Sequence, residues 1–240
     1  MTDSDEDIIN FYENNEVKRF IPNYNNPSYN FETMPLKHPM RVLICGASGG
    51  GKSNICLNII KSMNNTFEKI IIFTQNKQEP LYEYLEDKID YPMLEIFEGI
   101  ESVNSYDFND LEECQTLIIF DDMVVEKKQQ KICDLFIRGR KMAGGLGISL
   151  MYLTQSYYQT PIIIRKQLTQ IIIRKINGKR DLDSILRECS MDCDKEQLKR
   201  LYEYACPEDD IKKFLLIDLN APKRYRFRSG FKNVLNIHDF

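Results

Sequence analysis

Short apolar runs recur along the chain at Arg41–Cys45, Lys69–Thr74, Thr116–Phe120, Ile148–Thr154 and Gln170–Lys175. They are too short for helices and lack polar alternation, the pattern of strands buried on both faces. Between them apolar residues fall at helical spacing. Asn54–Met63 carries Ile55 and Ile59 with Leu57 and Ile60 beside them, and Gln78–Asp87 and Glu126–Met142 also read as helices. Glu95–Phe97 and Phe214–Leu219 read as further strands, and Pro161–Gln167 as a short helix. Lys179–Cys189 and Lys195–Cys206 read as surface helices. Strands alternating with helices predict an α/β fold around a mostly parallel sheet. Residues 1–36 differ: an acidic start runs into an Asn/Pro-rich stretch of turn formers. This predicts an arm over 1–36 and one domain over 37–240. Composition favours a flexible arm; the alternative is an arm docked on a neighbouring subunit through Phe11, Tyr12, Phe20 and Phe31.

The first strand leads into Gly46-Ala47-Ser48-Gly49-Gly50-Gly51-Lys52-Ser53, which matches G-x-x-x-x-G-K-[ST] at every fixed position. Strand, glycine loop and helix are the setting a phosphate-binding loop needs. Glycines let successive N–H groups turn inward, and the following helix presents its unpaired amides and positive dipole end. A triphosphate fits such a nest, with Lys52 reaching the β- and γ-phosphates and the Ser53 hydroxyl on Mg²⁺.

The strand at Thr116–Phe120 ends in Asp121-Asp122. Two carboxylates there are what ATP hydrolysis requires: Asp121 to hold the metal through its water shell, Asp122 to polarise the attacking water. Gln155 follows the strand at Ile148–Thr154. Ligands of open parallel sheets sit outside the carboxyl ends of the strands, which predicts Gln155 beside Lys52, Asp121 and Asp122 as a γ-phosphate sensor. Asn76-Lys77-Gln78-Glu79 resembles a guanine-reading motif but departs at its last position and precedes the acidic strand. A nucleotide switch is therefore disfavoured. On a helix over 126–142, Lys127, Lys131, Arg138 and Lys141 would form one basic stripe opposite Ile132, Cys133 and Phe136. Gly144-Gly145-Leu146-Gly147 would end it.

Charge sharpens this picture. The net charge of −4 hides a segregation. Residues 75–115 hold twelve acids against Lys77 and Lys88, whereas 161–240 hold seventeen Lys/Arg against twelve acids. A basic face for a polyanion is therefore compatible with the acidic total. Alternation in Lys223-Arg224-Tyr225-Arg226-Phe227-Arg228 would put Arg224, Arg226 and Arg228 on one side of a strand. Seven cysteines, an odd number mostly in apolar segments, predict buried reduced thiols rather than disulfides or zinc. No apolar run approaches a membrane span, and the acidic start lacks a secretory pattern. The expectation is an intracellular protein without a membrane partner.

The order of these parts resembles the FtsK/HerA superfamily, and within it the genome-packaging ATPases of poxviruses, other large DNA viruses and virophages. The likeness runs from about His38 to Phe231. It is carried by His38-Pro39-Met40-Arg41 leading into the phosphate loop, the Asp121-Asp122 strand, Leu135-Phe136-Ile137-Arg138-Gly139-Arg140-Lys141, Ile148–Gln155 and Arg226-Phe227-Arg228-Ser229-Gly230-Phe231. The resemblance implies a RecA-like (ASCE) P-loop NTPase, its Gln strand between the phosphate-loop and Asp-Asp strands, with helices on both faces. It implies a homo-oligomeric ring of five or six subunits with ATP and Mg²⁺ at each interface. Double-stranded DNA, held by its backbone without sequence preference, would be pumped into a capsid docked through a vertex or portal protein. By position, Gly46–Ser53 hold the phosphates, Ser53 and Asp121 the metal, Asp122 is the base and Gln155 the sensor. Arg140, with Arg138 as the alternative, is the finger supplied in trans. Many members carry Glu where this chain has Asp122. The implied location is the host cytoplasm or virus factory, with association with the virion as a further expectation. The competing readings are a helicase-like or conjugative DNA-pumping ATPase of the same superfamily, and a nucleotide-binding scaffold that does not hydrolyse.

Overall fold

A computed structural model describes residues 9–190, 193–207 and 210–240. The acidic residues Asp3, Asp5, Glu6 and Asp7 lie outside them. In chain order the elements are α1 (Asn15–Lys18), β1 (Arg41–Cys45), α2 (Lys52–Ser62), β2 (Lys69–Thr74), α3 (Pro80–Lys88), β3 (Leu94–Glu98) and α4 (Ile100–Ser105). There follow β4 (Thr116–Asp121), α5 (Gln130–Arg138), β5 (Ile148–Thr154), α6 (Ile162–Gln167), β6 (Gln170–Ile173), α7 (Lys179–Cys189) and α8 (Lys195–Ala205). Last come β7 (Leu215–Asp218), β8 (Phe227–Ser229) and β9 (Asn233–Val234).

The strands form one sheet in the order β3-β2-β4-β5-β1-β6-β7-β8-β9. From β3 to β6 all pairings are parallel; β7, β8 and β9 extend the sheet antiparallel. The Gln155 strand β5 lies between β1 and β4, the order that the resemblance implies. Register alternation sends Val42 and Ile44 to one face, with α2 and α3, and Leu43 and Cys45 to the other, with α4, α5, α7 and α8. Burial on both faces explains why these strands read as continuous apolar runs. Each buried aliphatic side chain stabilises the sandwich by about 1.5–3 kcal/mol. Six cysteines are buried, Cys193 is half-buried, and all seven are free thiols.

Two expected elements differ. The helix over 126–142 begins only at Gln130 and stops at Arg138, giving way to a 3₁₀ turn over Gly139–Lys141. Lys127 and Lys141 therefore lie outside it, and Lys131 donates to the carbonyls of Asn104 (2.5 Å) and Tyr106 (3.1 Å). The basic stripe does not form. Nor does the Arg224/Arg226/Arg228 face: Lys223–Tyr225 is a 3₁₀ turn, and β8 starts at Phe227. Arg228 is fully buried, donating to the carbonyls of Phe31 (2.6 Å), Glu32 (3.0 Å) and Phe231 (3.1 Å).

Those bonds belong to a seam that ties residues 25–36 to the body. Asn25 N–H donates to Gln115 Oε1 (2.6 Å), and Gln115 Nε2 returns a bond to Asn25 O (2.8 Å). His38 N–H donates to Asn26 Oδ1 (2.7 Å). The Phe31 ring meets Tyr225 edge to face at 4.8 Å, within its own chain. Phe11, Tyr12 and Phe20 remain exposed.

Candidate active site

β1 ends at Cys45, and the chain curls through Gly46–Gly51 into the eleven-residue α2. Gly46 N–H donates to Thr154 O (3.1 Å) and Ala47 N–H to Lys175 O (2.9 Å), anchoring the loop to the strands on either side of β1. Two glycines are required sterically. A β-carbon on Gly46 would lie 2.7 Å from Arg174 Cβ, and Gly51 caps α2 in the left-handed region (φ 82°). Lys52 folds its ammonium back over the loop, donating to Gly46 O and Ala47 O, each at 3.1 Å.

Two strands away, β4 ends at Asp121. Its Oδ2 accepts from the Tyr82 hydroxyl (2.7 Å), and Tyr82 is itself wholly buried under α3. Burial pushes the Asp121 carboxyl pKa up, against the Tyr82 hydrogen bond; Asp122 and Glu79 add to the rise and Lys52 opposes it. Asp122 adopts a left-handed conformation (φ 57°) while its N–H donates to Leu153 O (3.1 Å), which turns its side chain off the strand line. Gln155 Nε2 donates to both Asp122 oxygens, at 3.3 and 3.1 Å. The turn that carries Gln155 is fixed from α7: Asp181 Oδ1 accepts from Ser156 Oγ (2.7 Å) and Tyr158 N–H (2.9 Å).

Lys52, Ser53, Asp121, Asp122 and Gln155 thus converge on one cavity of about 440 Å³ at the carboxyl ends of β1, β4 and β5. Gln75, Asn76 and Glu79 complete its wall on the β2 side. The chemistry of this arrangement is that of a polyphosphate site: backbone amides and a lysine on one side, two carboxylates and an amide on the other. Arg138 and Arg140 do not line it. Both are exposed at the opposite ends of the strands, where Arg140 borders a cleft of about 610 Å³ with Arg41 and Lys166. Burial lowers the Arg41 pKa, and the nearby Arg140 charge adds to the shift. Sequence reasoning missed Tyr82, Asp181 and Arg174. Each reaches the site from an element with no motif of its own, so no spacing flagged it.

Sheet order and the glycine loop after β1 together define the RecA-like fold of phosphate-loop NTPases. The genome packaging NTPase B204 of Sulfolobus turreted icosahedral virus 2, solved with sulfate, shares the fold with a TM-score of 0.56. It is 18% identical over 84% of this chain and 100% of that one. EssC from Geobacillus thermodenitrificans gives a TM-score of 0.52 and 14% identity, over 83% of this chain and 42% of that one. A family model described as Poxvirus A32 protein matches residues 28–221, and the chain belongs to this family. The DNA packaging proteins OPG160 of Variola virus and of Vaccinia virus (strain Copenhagen) are each 25% identical over 162 residues. The match covers 63% of this chain, which spans 58% of the length of those relatives. No helix among the described residues is long and apolar enough to cross a membrane.

Proposed function

We propose that the chain is an ATP-hydrolysing motor that moves double-stranded DNA during viral genome packaging. The observation that carries this reading is the convergence of the loop residues Ser48–Ser53, the Asp121-Asp122 corner and Gln155 on one cavity. The packaging names of its relatives support the DNA part. In this reading the loop amides and Lys52 hold the β- and γ-phosphates. Asp122 accepts a proton from the attacking water, and the Gln155 amide, already bonded to Asp122, registers the γ-phosphate. Catalysis rests mainly on positioning and charge neutralisation.

The donor set fits Mg²⁺. The Ser53 hydroxyl and the Asp121 carboxylate are hard oxygen ligands lining the same cavity, and the buried Asp121, whose pKa burial pushes up, gains from a cation beside it. Bound there, Mg²⁺ would neutralise the charge that develops on the phosphate oxygens. Arg140, remote from its own cavity, fits a finger supplied to a neighbouring subunit in a ring of five or six, with Arg138 the alternative. DNA would be held through its phosphates, hence without sequence preference and with steep salt dependence. A capsid vertex or portal protein would dock the ring, in the cytoplasm of the host or its virus factory.

The test is ATP turnover measured with and without duplex DNA over a range of protein concentrations. Turnover per chain should rise with concentration and with DNA. A purified oligomer that neither binds nor hydrolyses ATP would overturn the reading.

A further inference from the structure

Arg174 follows β6 and is among the largest fully buried side chains. A buried guanidinium is costly unless its fork of donors is satisfied. Here its acceptors are all main-chain carbonyls. Nε donates to Gly50 O (3.0 Å) inside the phosphate loop, and Nη1 to Asp210 O (3.1 Å) and Lys213 O in the approach to β7. Its Cβ also fills the space beneath Gly46, and Ile211 O lies 3.3 Å from where a β-carbon on Gly51 would sit. Among the described residues it makes no ion pair with a carboxylate.

We propose that Arg174 is a positioning residue for the phosphate loop. Its guanidinium ties Gly46–Gly51 to the Asp210–Lys213 loop and stands as a fixed cation whose counter-charge is the bound polyphosphate. With Gly46, Ala47 and Gly50 N–H groups already held by the Thr154, Lys175 and Ala47 carbonyls, drawing the Gly50 carbonyl toward Arg174 fixes the curl of the loop, so the cradle is formed before a nucleotide arrives. The same bonds make Asp210–Lys213 respond to occupancy of the loop. A lysine keeps the charge but offers its donors from a single point, so it cannot span both loops.

Arg228 provides an internal control. It is equally buried and equally carbonyl-bonded, but its partners are Phe31, Glu32 and Phe231, away from the cavity. The experiment compares Arg174→Lys and Arg228→Lys in the full chain by thermal melting, ATP kinetics and amide exchange without nucleotide. Both variants should melt earlier. Only Arg174→Lys should raise KM for ATP, by roughly tenfold or more, with kcat per folded molecule within about threefold. Only in it should exchange accelerate at both 46–51 and 210–213. Equal KM values in the two variants, or unchanged exchange at either loop, would overturn the proposal.

The kinetic arm rests on the ATPase reading above; the exchange arm does not. If wild type ignores ATP, that reading fails while exchange still decides the clamp. Should Arg174→Lys not fold, wild-type exchange with added inorganic triphosphate replaces it. Slowing at 46–51 together with 210–213 supports the clamp, and slowing at 46–51 alone refutes it.

Discussion

Asp122 and Lys52 share one cavity, and in the proposed reading they act on different parts of a nucleotide, so their variants should separate accordingly. Lys52 is the cation over the loop, so Lys52→Ala should abolish ATP binding and turnover together. Asp122→Asn keeps the size and the left-handed turn, which asparagine tolerates, but cannot take up a proton. ATP affinity should persist while kcat falls about 10²–10⁴-fold. Equilibrium binding of a fluorescent ATP analogue alongside single-turnover hydrolysis distinguishes the two; full turnover in Asp122→Asn would remove it as the base. These residues were legible in the sequence because the motif fixes their spacing and a strand end fixes their place. Tyr82 was not. It reads as one more apolar position beside Leu85 on α3, and only the packing of α3 against the sheet brings its hydroxyl to Asp121.

At the scale of elements, apolar runs and helical spacing located β1–β7 and the helices α2, α3 and α5–α8, since burial on both sheet faces dictates those patterns, but not the short α1, α4 and β9. The failures came where tertiary contacts outweigh local pattern. Alternation at Arg224–Arg228 lost to carbonyls that need a buried guanidinium, and the long helix tightens into a 3₁₀ turn from Gly139 and ends at the extended Met142. That glycine is helical, but a β-carbon on it would lie 2.8 Å from Ile148 Cγ1 on β5. Gly139→Ala should therefore destabilise the fold by about 1–3 kcal/mol through overpacking, readable in denaturant midpoints. It should also displace Arg140, which follows directly. A second element-level junction is His38, buried where the chain enters β1. Its Nδ1 lies 2.8 Å from Ser149 Oγ and its Nε2 2.9 Å from Leu146 O, while Ser149 Oγ accepts from Met40 N–H (3.2 Å). The neutral ring with its proton on Nε2 satisfies all three bonds. Burial lowers the His38 pKa from its ordinary 6.5, against the Leu146 carbonyl. Below 6.5 the unfolded chain takes up a proton that the folded chain resists. The stabilisation from this group is complete above that pH and is lost as pH falls. Melting temperatures between pH 7.5 and 5.5 should drop in wild type and drop less in His38→Gln; equal slopes would exclude His38 as the cause.

For the whole molecule, the decisive geometry is the separation of Arg140 from the cavity that it is proposed to serve. The cavity sits at the carboxyl ends of the strands, and Arg140 borders a cleft at their amino ends with Arg41 and Lys166. One rigid chain cannot bring the two together, so an Arg140 acting on the γ-phosphate must come from another copy. A contact joining unlike surfaces head to tail closes into a ring when the rotation permits. Arginine fingers contribute about 10³–10⁵ in rate in phosphate-loop enzymes, so Arg140→Ala should be nearly idle even when fully assembled. Lys52→Ala should be idle for the separate reason that it holds no nucleotide. Mixed, the two complement: a Lys52→Ala subunit presents an intact Arg140 to a neighbour that binds ATP but lacks its own finger. Turnover in the mixture should exceed the sum of the separate proteins and peak near equal amounts. If mixing gains nothing while Arg138→Ala mixed with Lys52→Ala recovers activity, the finger is Arg138. If neither mixture recovers, catalysis does not cross the subunit boundary.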